Sequence, residues 1–194
     1  MTSGNWTWGA VRFGGGDADP GAATRFGMEP ADHRLLWPYT TSREVYRCAS
    51  DRGMDASPWM QRFDNLYATV GSSYLYTPNP WCDHLLRAKD PVFGIMGKKE
   101  DWVSCPARRI IFNEPPAEPY WQGDGVWRYF FWHYARGPAT VHDPYSRNAT
   151  DRSISPVLFA DQHAAKHDFT RAIRSSPNYP CEAQPLWYWY EAGR

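Results

Sequence analysis

Seventeen prolines and fifteen glycines punctuate this 194-residue chain, and few stretches run far without one. Proline removes a backbone donor and fixes φ, and glycine weakens a helix interior, so such punctuation rules out long helices. The chain must instead be assembled from short elements joined by irregular loops. Phe, Trp and Tyr supply 16% of residues, and large flat side chains of this kind can hold short elements together. With 42% hydrophobic and 22% charged residues, a packed core is expected and disorder is not. A chain of this length suits one domain that buries roughly 70% of its unfolded surface.

Lys+Arg and Asp+Glu both number 21, so the formal net charge is zero. Nucleic-acid binding would need a basic face, and Lys98-Lys99 and Arg108-Arg109 are too short to provide one. No stretch reaches the roughly 18 consecutive apolar residues of a membrane helix. Asn5, Arg12 and a glycine run occupy the place where a signal peptide would carry its apolar segment. With Met1 as the true start, the expected location is the cytoplasm. Four cysteines, Cys48, Cys82, Cys105 and Cys181, are widely spaced and include no CxxC pair, against a zinc ribbon or thioredoxin-like motif. They allow three complete disulfide pairings, each bridge worth about 2–4 kcal/mol in an oxidising compartment, or four separate buried thiols.

Residues 1–33 read as an irregular lead-in, with Trp6, Trp8, Val11 and Phe13 alternating like a short strand before the Gly14-Gly15-Gly16 break. Residues 34–194 read as one globular head. Asp32 to Arg47 predicts a short helix or two turns, Val45 to Cys48 an extended piece, and Ser50-Asp51-Arg52-Gly53 a turn in which Asp51 bonds a downstream amide. Strands are predicted over Ser72–Tyr76, Arg109–Asn113, Val126–His133 and Ser155–Asp161, from β-branched and aromatic runs ended by Pro, Asn or Gly. A weak helical spacing covers His84–Lys89, and a mild amphipathic pattern over His163–Arg174 predicts one short helix. Residues 135–152 form a polar loop, and Trp187-Tyr188-Trp189-Tyr190 sets Trp on one face of a strand and Tyr on the other. The expected class is α+β, a small antiparallel sheet with short helices and long loops.

The densest polar cluster is Asp161-Gln162-His163-Ala164-Ala165-Lys166-His167-Asp168. On a helix His163 and His167 share a face, a spacing that can hold a metal, with Asp161 and Asp168 as oxygen ligands or imidazole partners. The zinc-protease pattern needs Glu after the first His, and Ala164 stands there. The competing reading is a solvated strand-to-helix turn in which Asp161 bonds backbone amides. His133, His142 and Asp143 lie near the polar loop without a motif to bind them together. No Gly-x-Ser-x-Gly elbow is present, and Gly14-Gly15-Gly16 lacks the Lys-Ser or Lys-Thr of a phosphate loop, which leaves a flexible turn. Nothing in the pattern is specific for catalysis.

Leu35-Leu36-Trp37-Pro38-Tyr39 followed by VYRCASDRG (Val45 to Gly53) resembles the "L…Y…F.CPSD.G" segment of pseudopilin-like proteins from planctomycete- and verrucomicrobium-type bacteria. GSSYLYTPN (Gly71 to Asn79), ARRIIFNEPP (Ala107 to Pro116), Trp132-His133, ISPVLFADQHAAKHDFT (Ile154 to Thr170) and YPCEAQPLWYWY (Tyr179 to Tyr190) resemble further segments of that family, in the same order. Cys48, Asp51, Tyr74, Glu114, His133, Asp161, His163, Glu182, Trp187 and Trp189 stand at the matching motif positions. Ala49 departs from a usual Pro, and Gln162 from a usual Gly at a position that would need positive φ.

The resemblance implies a pilin-like head of a type II secretion or type IV pilin-like component. An apolar, cleaved and methylated N-terminal helix, absent from this chain, would precede it. It implies a location in the periplasm or cell envelope, and partners among other pilin-like subunits or envelope proteins. With the helix upstream, disulfide pairing becomes plausible. The expected function is structural and non-catalytic, with no cofactor. Some heads of this kind bind calcium in a C-terminal loop, for which no ligand is assigned here. Tyr188, Tyr190 and the 135–152 loop are the expected partner contacts. Two other readings compete: a carbohydrate-binding module stacking sugars on Trp121, Trp127, Trp132 and the 187–190 tail, and a metal-dependent hydrolase centred on His163 and His167.

Overall fold

The computed structural model describes residues 13–21, 23, 28–40, 42–53, 65–76, 99–114, 117, 120–122, 126–128, 133, 154–175 and 183–189. Its centre is a four-stranded sheet of β1 (Leu75–Tyr76), β2 (Ile110–Asn113), β5 (Ile154–Phe159) and β6 (Ala164–Asp168), ordered β1-β2-β5-β6. Every neighbouring pair is antiparallel. A separate ribbon pairs β3 (Tyr120–Gln122) with β4 (Val126–Arg128), setting Trp121 opposite Trp127. The helices are short: α1 (Leu66–Val70), α2 (Thr170–Ser175) and 3-10 turns at Ala31–His33, Trp37–Tyr39, Arg43–Tyr46 and Glu100–Trp102. Among the described residues the class is therefore α+β. No helix among them is long and apolar enough to cross a membrane.

β2 and β5 form where β-branched and aromatic residues concentrate, and Ile110, Ile154, Val157 and Phe159 are buried. Pro156 stands inside β5, a central strand, where a missing amide would usually break a ladder. Phe159 donates its amide to His163 on the β6 side, so alternation turns position 156 the other way. There the last β2 pair is Asn113 with Val157, so no ladder bond is lost. A register shift between Ile110 and Phe112 marks a bulge in β2. Phe159, Phe169, Trp187 and Trp189 pack with Ile110, Ala117 and Val157 into the main core. Phe169 meets Trp187 edge to face at 4.9 Å. A second aromatic cluster joins Phe13 to Phe112, Tyr76 and Tyr46 at 4.6, 5.6 and 6.2 Å. Phe13, Met28 and Ala31 are buried, and Phe13 packs against Tyr76 and Phe112 of the sheet.

Three expectations need correction. His163–Arg174 is not one helix: Ala164–Asp168 pairs residue for residue with β5, and α2 begins only at Thr170. The alternating exposure of β6 is that of an edge strand, and its backbone bonds to β5 outweigh the helix propensity of Ala164, Ala165 and Lys166. Val45 and Tyr46 belong to a 3-10 turn capped by Ser42, and the chain extends only from Arg47. Tyr188, expected as a partner contact, is buried within the chain itself. It bridges Arg109 in parallel, its amide and carbonyl bond Arg108 and Ile110, and its hydroxyl bonds the amide and carbonyl of Cys105. The tail is thus sewn in along β2, with both tryptophans and the tyrosine buried.

The β5–β6 turn holds Gln162 at φ 74, a conformation that costs an L residue about 1–2 kcal/mol. Gln162→Gly is expected to raise stability by about 0.5–1 kcal/mol after glycine's extra unfolded-state entropy is counted. Urea denaturation of the two proteins measures the gain. An unchanged or lower midpoint contradicts the strain.

Candidate functional site

Asp51 organises the polar junction of the molecule. Its Oδ1 accepts from the amides of Gly53 at 2.8 Å and Leu66 at 2.9 Å, and its Oδ2 from the amide of Tyr67 at 2.8 Å and the hydroxyl of Ser73 at 2.6 Å. Leu66 and Tyr67 open α1, so Asp51 satisfies amides that a helix N-terminus leaves unpaired, while Asn65 caps Ala68. Gly53 takes φ 71, which completes the Asp-Arg-Gly turn expected from the sequence. Ser73 hands its oxygen to the amide of Cys48, which fixes the cysteine beside this joint.

From there Cys48, Glu114 and His133 converge. Glu114 follows β2, is fully buried, and donates its own amide to the Ser155 hydroxyl oxygen. His133 Nε2 hydrogen-bonds Glu114 Oε2 and lies 3.8 Å from Cys48 Sγ. One ligating atom from each residue lies within 4.8 Å of the other two. Burial pushes the Glu114 carboxyl above its ordinary range, against the pull of Cys48 and His133. Burial, then the hydrogen bond and charge of Glu114, push the Cys48 thiol up to about 12. Burial and the Glu114 charge hold the Tyr74 phenol at about 12 as well.

Cysteine, histidine and a carboxylate could suggest a thiol hydrolase, but the geometry differs. A catalytic triad uses both imidazole nitrogens, one toward the nucleophile and one toward the carboxylate. Here Nε2 faces both Cys48 and Glu114. With its pKa raised, the thiol also remains protonated near neutrality and is a poor nucleophile. What the arrangement can do is gather a sulfur, a nitrogen and an oxygen about one point.

A folded state that holds protons more tightly than the unfolded chain loses stability as pH rises between the two pKa values. Cys48 rises from 9.0 and Tyr74 from 10.0, each to about 12. Their contribution is complete below pH 9 and lost toward pH 12. With chelator present, the melting temperature is expected to fall over this window, and less steeply in Cys48→Ala. An equal slope in the two proteins would contradict the assignment.

The four metal candidates of the His163 segment do not form such a group. Asp161 and His163 pair at 2.6 Å within the exposed β5–β6 turn. Asp161 also accepts the His163 amide, the turn chemistry of the competing reading. His163 stacks on Phe159 at 4.2 Å and His167 meets the same ring edge-on at 5.7 Å. Asp168 caps α2 through the Thr170 amide. His163 stands in the turn before β6 and His167 within the strand, each against the Phe159 ring, so the two do not follow one another up a helix face as a compact metal pair requires.

Of the motif positions, Cys48, Asp51, Tyr74, Glu114 and His133 gather here, Asp161 and His163 sit at the hairpin turn, and Trp187 and Trp189 lie in the core. Glu182, Tyr190, Trp132, His142, Asp143, the 135–152 loop and residues 78–80 and 84–89 lie outside the described residues. Cys48 and Cys105 are free thiols, so none of the three complete disulfide pairings is formed. Cys82 and Cys181 lie outside the described residues. The convergence of Cys48, Glu114 and His133 as ligating atoms has no signal in spacing, because up to 85 residues separate them. Comparison of the chain with family models, curated proteins and solved structures returns no match.

Proposed function

We propose that the chain is the non-catalytic head of a pseudopilin-like component of a type II secretion or pilus-like envelope filament. One observation carries this reading. Five of the dispersed motif positions, Cys48, Asp51, Tyr74, Glu114 and His133, gather at one junction, and the polar atoms of Asp51 and Ser73 are occupied there by backbone amides or by each other. Side chains spent on holding backbone segments together support a structural role. The antiparallel sheet is compatible with a head of this kind. The carbohydrate reading loses three of its tail aromatics, because Trp187, Tyr188 and Trp189 are buried.

Leu35 and Tyr39 are 79% and 81% exposed, and they replace Tyr188 as the apolar side chains offered to a neighbouring subunit. The test is mass spectrometry of the native protein recovered from fractionated cells. The expected result is an envelope location and peptides that continue upstream of Met1 into an apolar segment with a methylated first residue. A native N-terminus at Met1 in the soluble cytosolic fraction overturns the reading.

A further inference from the structure

We propose that Cys48, Glu114 and His133 form a zinc site that ties the Cys48 turn, the end of β2 and the segment carrying His133 to one another. The inference does not depend on the filament reading. The ligand types come first: thiolate and imidazole select zinc over hard cations such as calcium or magnesium, and a carboxylate completes a common three-residue set. Distance agrees. Zn–S and Zn–N bonds of about 2.3 and 2.0–2.1 Å at a tetrahedral angle set sulfur and nitrogen about 3.6 Å apart. Cys48 Sγ and His133 Nε2 are 3.8 Å apart, and all three ligating atoms lie within 4.8 Å.

A second observation points the same way. Glu114 is fully buried, and its Oε1 has no hydrogen-bond partner among the described residues. A buried carboxylate oxygen left in that state is costly, and a cation beside it removes the cost. Charge balance also fits a buried place, since thiolate and carboxylate together cancel a divalent ion and leave the filled site neutral. Binding releases the Cys48 thiol proton to solvent, with no change in oxidation state, and His133 binds through Nε2 as a neutral imidazole whose proton sits on Nδ1. The Glu114–His133 hydrogen bond must open slightly, because a metal then stands between the two. A water takes the fourth position.

The test uses the full chain, stripped with chelator and titrated with Zn²⁺ alone, then with Co²⁺ as an optical probe. The expected result is one ion per chain, a raised melting temperature, and a thiolate-to-cobalt charge-transfer band in the near ultraviolet. Cys48→Ser is expected to lose the band and at least tenfold in affinity while keeping the wild-type circular dichroism, and Cys105→Ser to keep both. Should Cys48→Ser not fold, alkylation of the wild-type protein at alkaline pH, run until Cys48 of the stripped protein is modified, decides: Zn²⁺ is expected to protect Cys48 but not Cys105, as mapped by mass spectrometry. Absence of stoichiometric binding, a band that follows Cys105, or Cys48 labelled equally with and without Zn²⁺ overturns the proposal.

Discussion

Asp51→Ala is expected to lower the unfolding free energy by about 3–5 kcal/mol, a large share of the 5–15 kcal/mol typical of a whole domain. The carboxylate accepts four hydrogen bonds, from Gly53, Leu66, Tyr67 and Ser73. Three of the donors are backbone amides, two of them at the start of a five-residue helix. A helix that short does not hold itself together, so losing its distal cap leaves buried donors unpaired and loosens the turn. Ser73 would lose its anchor at the same time, and with it the bond that seats the Cys48 amide. Asp51→Asn separates charge from shape, because one oxygen remains to accept while the new amide group faces donors. An intermediate loss of about 1–3 kcal/mol is expected there. Urea unfolding followed by circular dichroism gives both values, and a midpoint for Asp51→Ala within experimental error of wild type would remove Asp51 from this role.

The same residue marks what could be read from the sequence. Ser50-Asp51-Arg52-Gly53 identified itself as a turn because the side chain acts on an amide two residues away, an interaction local enough to show as a pattern. β2 and β5 were legible for a related reason: Ile110, Ile111, Val157 and Phe159 favour a pleated, buried surface wherever they are placed. β6 was not legible. His163 and His167 fall on one face in a helix and in a strand alike, so their spacing cannot separate the two, and the pairing with β5 decides it. Gln162 at positive φ hid the turn further, since the usual glycine signal is missing. Tyr188 misled through its alternation with tryptophan, which is correct for an isolated strand. Its second face is buried as well, because the Cys105 backbone closes over the hydroxyl.

The site shows the same limit more sharply. Cys48, Glu114 and His133 each stood out within a separate short motif, yet only the tertiary fold brings their ligating atoms together. The cluster around His163, whose ligand types lie within a few residues of one another, comes apart once the chain extends. Density of titratable residues along a sequence is thus a poor guide to density in space when the local backbone is a strand, where each residue advances the chain by about 3.3 Å.

Arg34→Met carries the second large effect, an expected loss of about 3–5 kcal/mol. Arg34 is buried, and its guanidinium reaches the carbonyls of Gly14 at 2.7 Å, Val70 at 3.3 Å and Glu29 at 3.2 Å. The Gly14-Gly15-Gly16 run, read from sequence as a flexible turn, is in fact the packed wall of this site. Gly15 and Gly71 take φ of +105 and +89, and a Cβ at Gly15 would overlap the Gly71 carbonyl oxygen. Gly16 then donates its amide to that same oxygen at 2.8 Å. Glycine is needed at 15 and 71 because two backbones and a guanidinium meet there, with no room for another atom. Methionine would keep much of the volume and strand carbonyls from three separate segments. Lysine would keep the charge, but its single ammonium cannot span all three, so Arg34→Lys is expected to lose about 2–3 kcal/mol. Hydrogen exchange supplies a local readout: the Gly16 amide should lose protection in Arg34→Met before the β5 amides do. If it exchanges together with β5, the glycine wall does not depend on the arginine.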